Sequence, residues 1–115
     1  MINPYFETKN GKLYNIDCLE MLRQMPENSV DLTVTSPPYD NLRTYNGYSF
    51  DFEGIAKELY RVTKQGGVVV WVVGDATIDG CETLTSFKQA LYFKEQCGFN
   101  MHDTMIYQQA GTGAK

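Results

Sequence analysis

The stretch Asp31-Leu-Thr-Val-Thr-Ser-Pro-Pro-Tyr39 decides how this chain is read. Its first half predicts a strand. The two prolines cannot continue that strand, because they have no N–H to donate and they restrict the residue before them. The strand therefore stops at Thr35 and passes into a stiff loop, flanked by Ser36 and Tyr39, whose carbonyls have few local partners. In open α/β sheets, a loop at the carboxyl end of a parallel strand is where ligands bind.

Outward from this corner, strand and helix patterns alternate. On the amino-terminal side Lys12-Leu-Tyr-Asn-Ile16 predicts a strand ending at Asp17, followed by Leu19, Leu22 and Met25 at helical spacing until Pro26. On the other side, residues 40–50 are polar and aromatic without period and read as a surface loop. Asp51 is a helix N-cap, with Phe52, Ile55, Leu59 and Val62 on one face and Gly66-Gly67 as the stop. Val68 to Val73 is an uninterrupted apolar run, the pattern of a strand covered on both faces. Gly74-Asp75 ends it, and a flexible stretch to Thr83 follows. A third helix is expected over residues 84–97, with Phe87, Ala90, Leu91 and Lys94 on one face, then a last strand from Met101 to Gln108. Alternating elements of this kind point to βα units in a parallel sheet with helices on both faces. The predicted fold class is α/β: a partial Rossmann-like, doubly wound, mainly parallel sheet.

Composition narrows the function classes. The chain has 115 residues, enough for a single domain. A net charge of −4 argues against a simple phosphate-binding module, although a separate segment could supply a basic surface. No run is long and apolar enough for a membrane span, and the start reads as neither a signal nor a transit peptide. Cys18, Cys81 and Cys97 are far apart, lack metal-ligand spacing, and read as small buried or semi-buried residues. His102 is the chain's single histidine and is assigned a structural role, so no metal is expected.

The ordered set Asn15-Ile-Asp17-Cys18-Leu19, Ser29-Val-Asp31-Leu32, Thr35-Ser-Pro-Pro-Tyr39 and Leu59-Tyr-Arg61-Val62 running on to Gly66-Gly67 resembles the amino-terminal half of amino-methylating DNA methyltransferases. The order of elements resembles the permuted class, in which the catalytic loop precedes the cofactor loop. This resemblance implies methyl transfer from S-adenosylmethionine to the exocyclic nitrogen of cytosine (N4) or adenine (N6). An exocyclic amine is a poor nucleophile while its lone pair is delocalised into the ring. Acceptors that hold both amino hydrogens favour a pyramidal nitrogen. By the resemblance Ser36 and the Pro37 carbonyl are those acceptors and Tyr39 stacks on a base turned out of the duplex, while the two prolines, Pro37 and Pro38, keep the carbonyl from swinging away. The family places Asp or Ser first in this loop, and Ser36 favours cytosine-N4.

Asp17 matches the family's acidic residue near the cofactor's adenosine. It is equally well placed to cap a helix, with Glu20 completing a capping box. Thr35 and Asp75, each at a strand end, are further cofactor-side candidates by position. Pro37-Pro38-Tyr39 could instead be a polyproline ligand, and Tyr45, Tyr48 and Phe50 either a stacking lid or loop anchors, with anchors favoured. Trp71 reads as core, and Gly111-x-Gly113 resembles a phosphate loop only superficially.

The family's glycine-rich cofactor loop and its target-recognition segment are absent from these residues and are expected beyond residue 115. Residues 1–115 thus read as a partial catalytic domain. In the family's sheet order only the strands at 31–35 and 68–73 would be neighbours here. The chain is expected to need a complementary carboxyl-terminal segment, or a homo-oligomer, to complete its sheet. The resemblance also implies a cytoplasmic protein encoded by a bacterium or a phage, with DNA as its partner. An inactive remnant serving as a binding or assembly module is the alternative.

Overall fold

The computed structural model describes residues 2–38, 50–108 and 110. Its centre is a β-α-β unit. Strand β3 (Val30–Thr35) runs parallel to β4 (Thr63–Trp71), and helix α2 (Phe52–Val62) leads into the second strand. The pairing is Leu32 with Val68, Thr33 with Val69, Val34 with Val70 and Thr35 with Trp71, after an irregularity between Val30 and Leu32. Among the described residues these are the two strands that pair in parallel, the pair that the resemblance led one to expect as neighbours.

Helix α2 forms because Asp51 caps it and its apolar residues recur on one side. The Asp51 carboxylate accepts from the Gly54 N–H at 3.0 Å, and Ile55, Ala56, Leu59 and Val62 are buried. The helix ends at Val62, earlier than the glycine pair suggested, and Thr63 already belongs to β4. Gly67 then lets the strands close up: a Cβ there would lie 2.9 Å from the Lys64 carbonyl oxygen and 3.0 Å from that of Asp31.

Helix α1 (Cys18–Gln24) packs on α2. Arg61 fastens the two, donating from Nη2 to the Leu22 carbonyl at 2.7 Å while pairing with Glu58 at 2.8 Å. Backbone bonds from Asn28 to Arg61 (3.0 Å) and from Ser29 to Val62 (2.8 Å) then lead the chain into β3. Leu19, Ile55, Ala56, Leu59 and Phe93 make one core, against which Val69 and Trp71 pack.

Several expectations need correction. The predicted strand at Lys12–Ile16 is reduced to β2 (Lys12–Leu13), which pairs antiparallel with β1 (Phe6–Glu7) and not with the parallel sheet. The turn residues Lys9 and Asn10 close this hairpin, with the Thr8 N–H donating to the Gly11 carbonyl at 2.8 Å. A second small hairpin, β5 (Thr77–Ile78) with β6 (Cys81–Glu82), occupies the stretch read as flexible. Asp79 and Gly80 both take positive φ (54° and 76°), as a two-residue hairpin turn demands.

Residues 101–108 form no strand and are exposed, because no neighbour among the described residues offers them a ladder. Helix α3 (Thr85–Leu91) continues as a π-helical turn, Tyr92–Cys97. It buries Gln89 and Phe93, not the expected face of Phe87 and Leu91, which are exposed. Nor is the β3–β4 pair covered on both faces. The helices lie against Val69 and Trp71, whereas Leu32 (57% exposed), Val34 (64%), Val68 (52%) and Val72 (43%) face outward. The expected helices on the second face are not present among the described residues. Cys18 and Cys81 are exposed, and only Cys97 is half-buried.

Candidate active site

The strand-to-loop corner lines a cleft of about 390 Å³, within the usual range for ligand sites. One wall is the end of β3 with its loop: Thr33, Thr35, Ser36, Pro37 and Pro38. The floor is Ile55 and Leu59 of α2, with Trp71 of β4 and Phe50. The facing wall comes from α1 and the residues before it, including Tyr14, Ile16 and Cys18. The cleft therefore lies at the end of β3, on the helix-covered side of the sheet.

One backbone bond and one buried ring fix the corner. The Thr35 carbonyl accepts from the Val72 N–H at 2.9 Å, extending the ladder to the residue before Ser36. Pro37 is buried while Ser36 stays exposed, so the loop is anchored by one residue and presents the other. A prolyl φ held near −65° leaves little freedom for the intervening carbonyl to swing. Tyr39, Tyr45 and Tyr48 lie outside the described residues.

Phe50 packs on the aromatic cluster and is also part of the cleft floor. Its ring lies 6.3 Å from that of Trp71 at 27°, and 6.4 Å from Phe52. Trp71 also meets Phe93 edge-on at 5.1 Å. Its indole N–H donates to Gln89 Oε1 at 2.9 Å. A tryptophan inside a valine run reads as core; that it also floors a cleft follows only once its register with Thr35 is known.

The acidic candidates are held elsewhere. Asp17 caps α1, with Oδ2 accepting from the N–H groups of Leu19 (3.1 Å) and Glu20 (3.3 Å). Its neighbours Ile16 and Cys18 line the cleft, so it stands at the edge. Asp75 binds Ser86 twice, from the backbone N–H at 2.7 Å and the hydroxyl at 2.6 Å, and is not a cleft residue. It supplies the cap that Leu84, in left-handed geometry at φ 56°, does not give to α3. The Cys18 thiol is pushed up by partial burial and then by the Asp17 carboxylate, which keeps it protonated and a poor nucleophile. No group of His, Cys, Asp and Glu among the described residues could hold a metal ion.

An apolar cleft at the carboxyl end of a parallel strand, edged by a serine and two prolines, defines the class. The chain belongs to the DNA methylase family of N6- and N4-directed enzymes, whose model matches residues 30–115. It is 74% identical over 81 residues to the orphan methyltransferase M.BamHII of Bacillus amyloliquefaciens, a match covering 70% of this chain and 30% of that protein. It is 40% identical over 77 residues to the type II methyltransferase M.ScaI of Streptomyces caespitosus, covering 62% of this chain and 25% of the relative. Its fold is similar to that of the cytosine-N4-specific PvuII DNA methyltransferase, with a TM-score of 0.68 and 27% identity over 84% of this chain and 38% of that one. The chain thus spans about a third of the length of these relatives. No helix among the described residues is long and apolar enough to cross a membrane.

Proposed function

We propose that these residues are the catalytic-loop part of a DNA methyltransferase acting on an exocyclic base amine, with cytosine-N4 favoured over adenine-N6. The observation that carries this reading is the seat of Ser36-Pro37-Pro38, at the end of β3 and on the wall of a cleft. The favoured base rests on Ser36 and on the likeness to a cytosine-N4-specific enzyme.

In this reading the Ser36 hydroxyl and the Pro37 carbonyl accept the two amino hydrogens and free the nitrogen lone pair. The buried Pro37 ring and the Thr35–Val72 bond hold those oxygens in place before reaction, so little reorganisation is left for the transition state. Tyr39 is assigned by the motif to stacking on the turned-out base. S-adenosylmethionine supplies an electrophilic methyl group when bound. The residues present fit it in part: Ile16, Cys18 and Thr35 offer a cleft wall, and Asp17 stands at its edge. Asp75, with both oxygens on Ser86, takes a structural role.

The remaining contacts to cofactor and DNA are assigned to a complementary carboxyl-terminal segment or a second copy, which would complete a doubly wound, Rossmann-like sheet. The outward-facing Leu32, Val34, Val68 and Val72 and the unpaired residues 101–108 support that need. Residues 1–115 then form part of one catalytic domain.

The test mixes the chain with the part of the Bacillus amyloliquefaciens relative that it does not cover, adds DNA and labelled S-adenosylmethionine, and analyses the nucleosides by mass. The expected product is 4-methylcytosine. 6-Methyladenine would move the base assignment, and no labelled nucleoside from a folded mixture would overturn the proposal. Calorimetry of the chain alone should show no cofactor heat at micromolar concentration.

A further inference from the structure

Helix α3 buries its glutamine and exposes its larger apolar residues. Gln89 is 8% exposed, while Phe87 and Leu91 of the same helix face outward. Hydrophobic burial alone would turn the helix the other way, since burying an amide is costly unless it is hydrogen-bonded. Two polar ties set the observed orientation. Ser86 binds Asp75, and three residues on, one turn along the same face, Gln89 accepts from the Trp71 indole.

Trp71 is where both ends of the loop between β3 and α2 converge. Thr35 is its partner in the parallel register, and its neighbour Val72 donates to the Thr35 carbonyl. Phe50, at the loop's far end, stacks on the indole. The ring also floors the cleft beneath Ser36 and Pro37. An indole free to turn about its side-chain torsions would release both the floor and the seat of Phe50.

We propose that Gln89 is a positioning residue: its Oε1 fixes the Trp71 indole, and through that ring it sets the cleft floor and the far anchor of the Ser36-Pro37 loop. This rests on the reading of the cleft as the methyl-transfer site. Gln89 does not line the cleft and acts through Trp71 alone.

The test uses Gln89→Met, which removes the acceptor at similar volume, and Gln89→Glu, which keeps an oxygen there. Trp71 is the chain's one tryptophan, so fluorescence excited at the red edge, where tyrosine does not absorb, reports this indole alone. In Gln89→Met, acrylamide quenching of Trp71 should rise with the circular dichroism unchanged, and Gln89→Glu should restore the original value. In the mixture with the uncovered part of the relative, Gln89→Met should lower kcat about ten-fold, the scale of one buried hydrogen bond, with KM unchanged. In a Trp71→Phe background it should lower kcat no further.

Unchanged quenching in Gln89→Met, or an equal loss of kcat with and without Trp71, would overturn the proposal. Trp71→Phe keeps a ring and removes the N–H. Undiminished kcat in that variant would overturn the proposal even if Gln89→Met does not fold. Failure of the unaltered protein to transfer methyl groups would instead defeat the functional reading, and the quenching result would still decide whether Gln89 holds the indole.

Discussion

The two faces of the β3–β4 pair have nearly the same chemistry and opposite surroundings. On one face Val69 and Trp71 pack against Leu19, Ile55, Leu59 and Phe93. On the other, Leu32, Val34, Val68 and Val72 are exposed. Strand side chains alternate, so an unbroken apolar run records that both faces are destined for cover. These residues supply cover for one. The difference shows that the cleft and its aromatic floor sit on the helix-covered face, whereas the other face and the second edge of β3 have no cover among the described residues.

Substitutions should divide along the same line. Leu59→Ala, in the covered face and the cleft floor, is expected to cost ~2–5 kcal/mol in denaturant unfolding, a large share of the stability of a domain of this size. Gly67→Ala drives a methyl group against the backbone of both strands and should cost about 1–3 kcal/mol in the same measurement. Asp75→Ala leaves Ser86 and the start of α3 without their cap, for a loss of about 1–2 kcal/mol seen as earlier hydrogen exchange in residues 85–91. Val34→Thr, on the bare face, should stay within about 0.5 kcal/mol in the chain alone and become costly once the complementary part is added. A large loss in the chain alone would break the contrast between the faces.

A smaller effect sharpens the cleft wall. Burial raises the thiols of Cys18 and Cys97 above their ordinary value, so each favours the folded state in its protonated form. That contribution is complete below the unfolded thiol pKa of roughly 8.5 and fades as pH rises through the higher folded value. Stability should therefore slip in mildly alkaline solution, and Cys18→Ser should remove part of the slope.

The centre of the fold was legible because local signals agreed there. The end of β3 at Thr35, the Asp51 cap and the face of Ile55, Leu59 and Val62 each follow from chain geometry. Elements that depend on distant partners were not. Residues 101–108 carry a strand pattern without a neighbour to pair with, and helix α3 turns toward Trp71 and Asp75 for reasons no helical period contains. The second hairpin was legible in Asp79-Gly80 but was overshadowed by longer apolar runs, and the first, turning at Lys9-Asn10, carries no glycine at its turn positions. Of the site, the strand-end loop followed from the prolines. The cleft lining at Tyr14, Phe50 and Trp71 came only from tertiary packing, and the N-cap bonds of Asp17 to Leu19 and Glu20 match its capping reading.

The central claim is that Ser36 and Pro37 offer oxygens that prime a base nitrogen for alkylation. Its most direct test is the single-turnover rate of methyl transfer to DNA by the completed protein, compared between the unaltered chain and Ser36→Ala. Loss of one preorganised acceptor should slow the step about a hundred-fold or more with little change in cofactor affinity. An unchanged rate in a correctly folded Ser36→Ala protein would contradict the account.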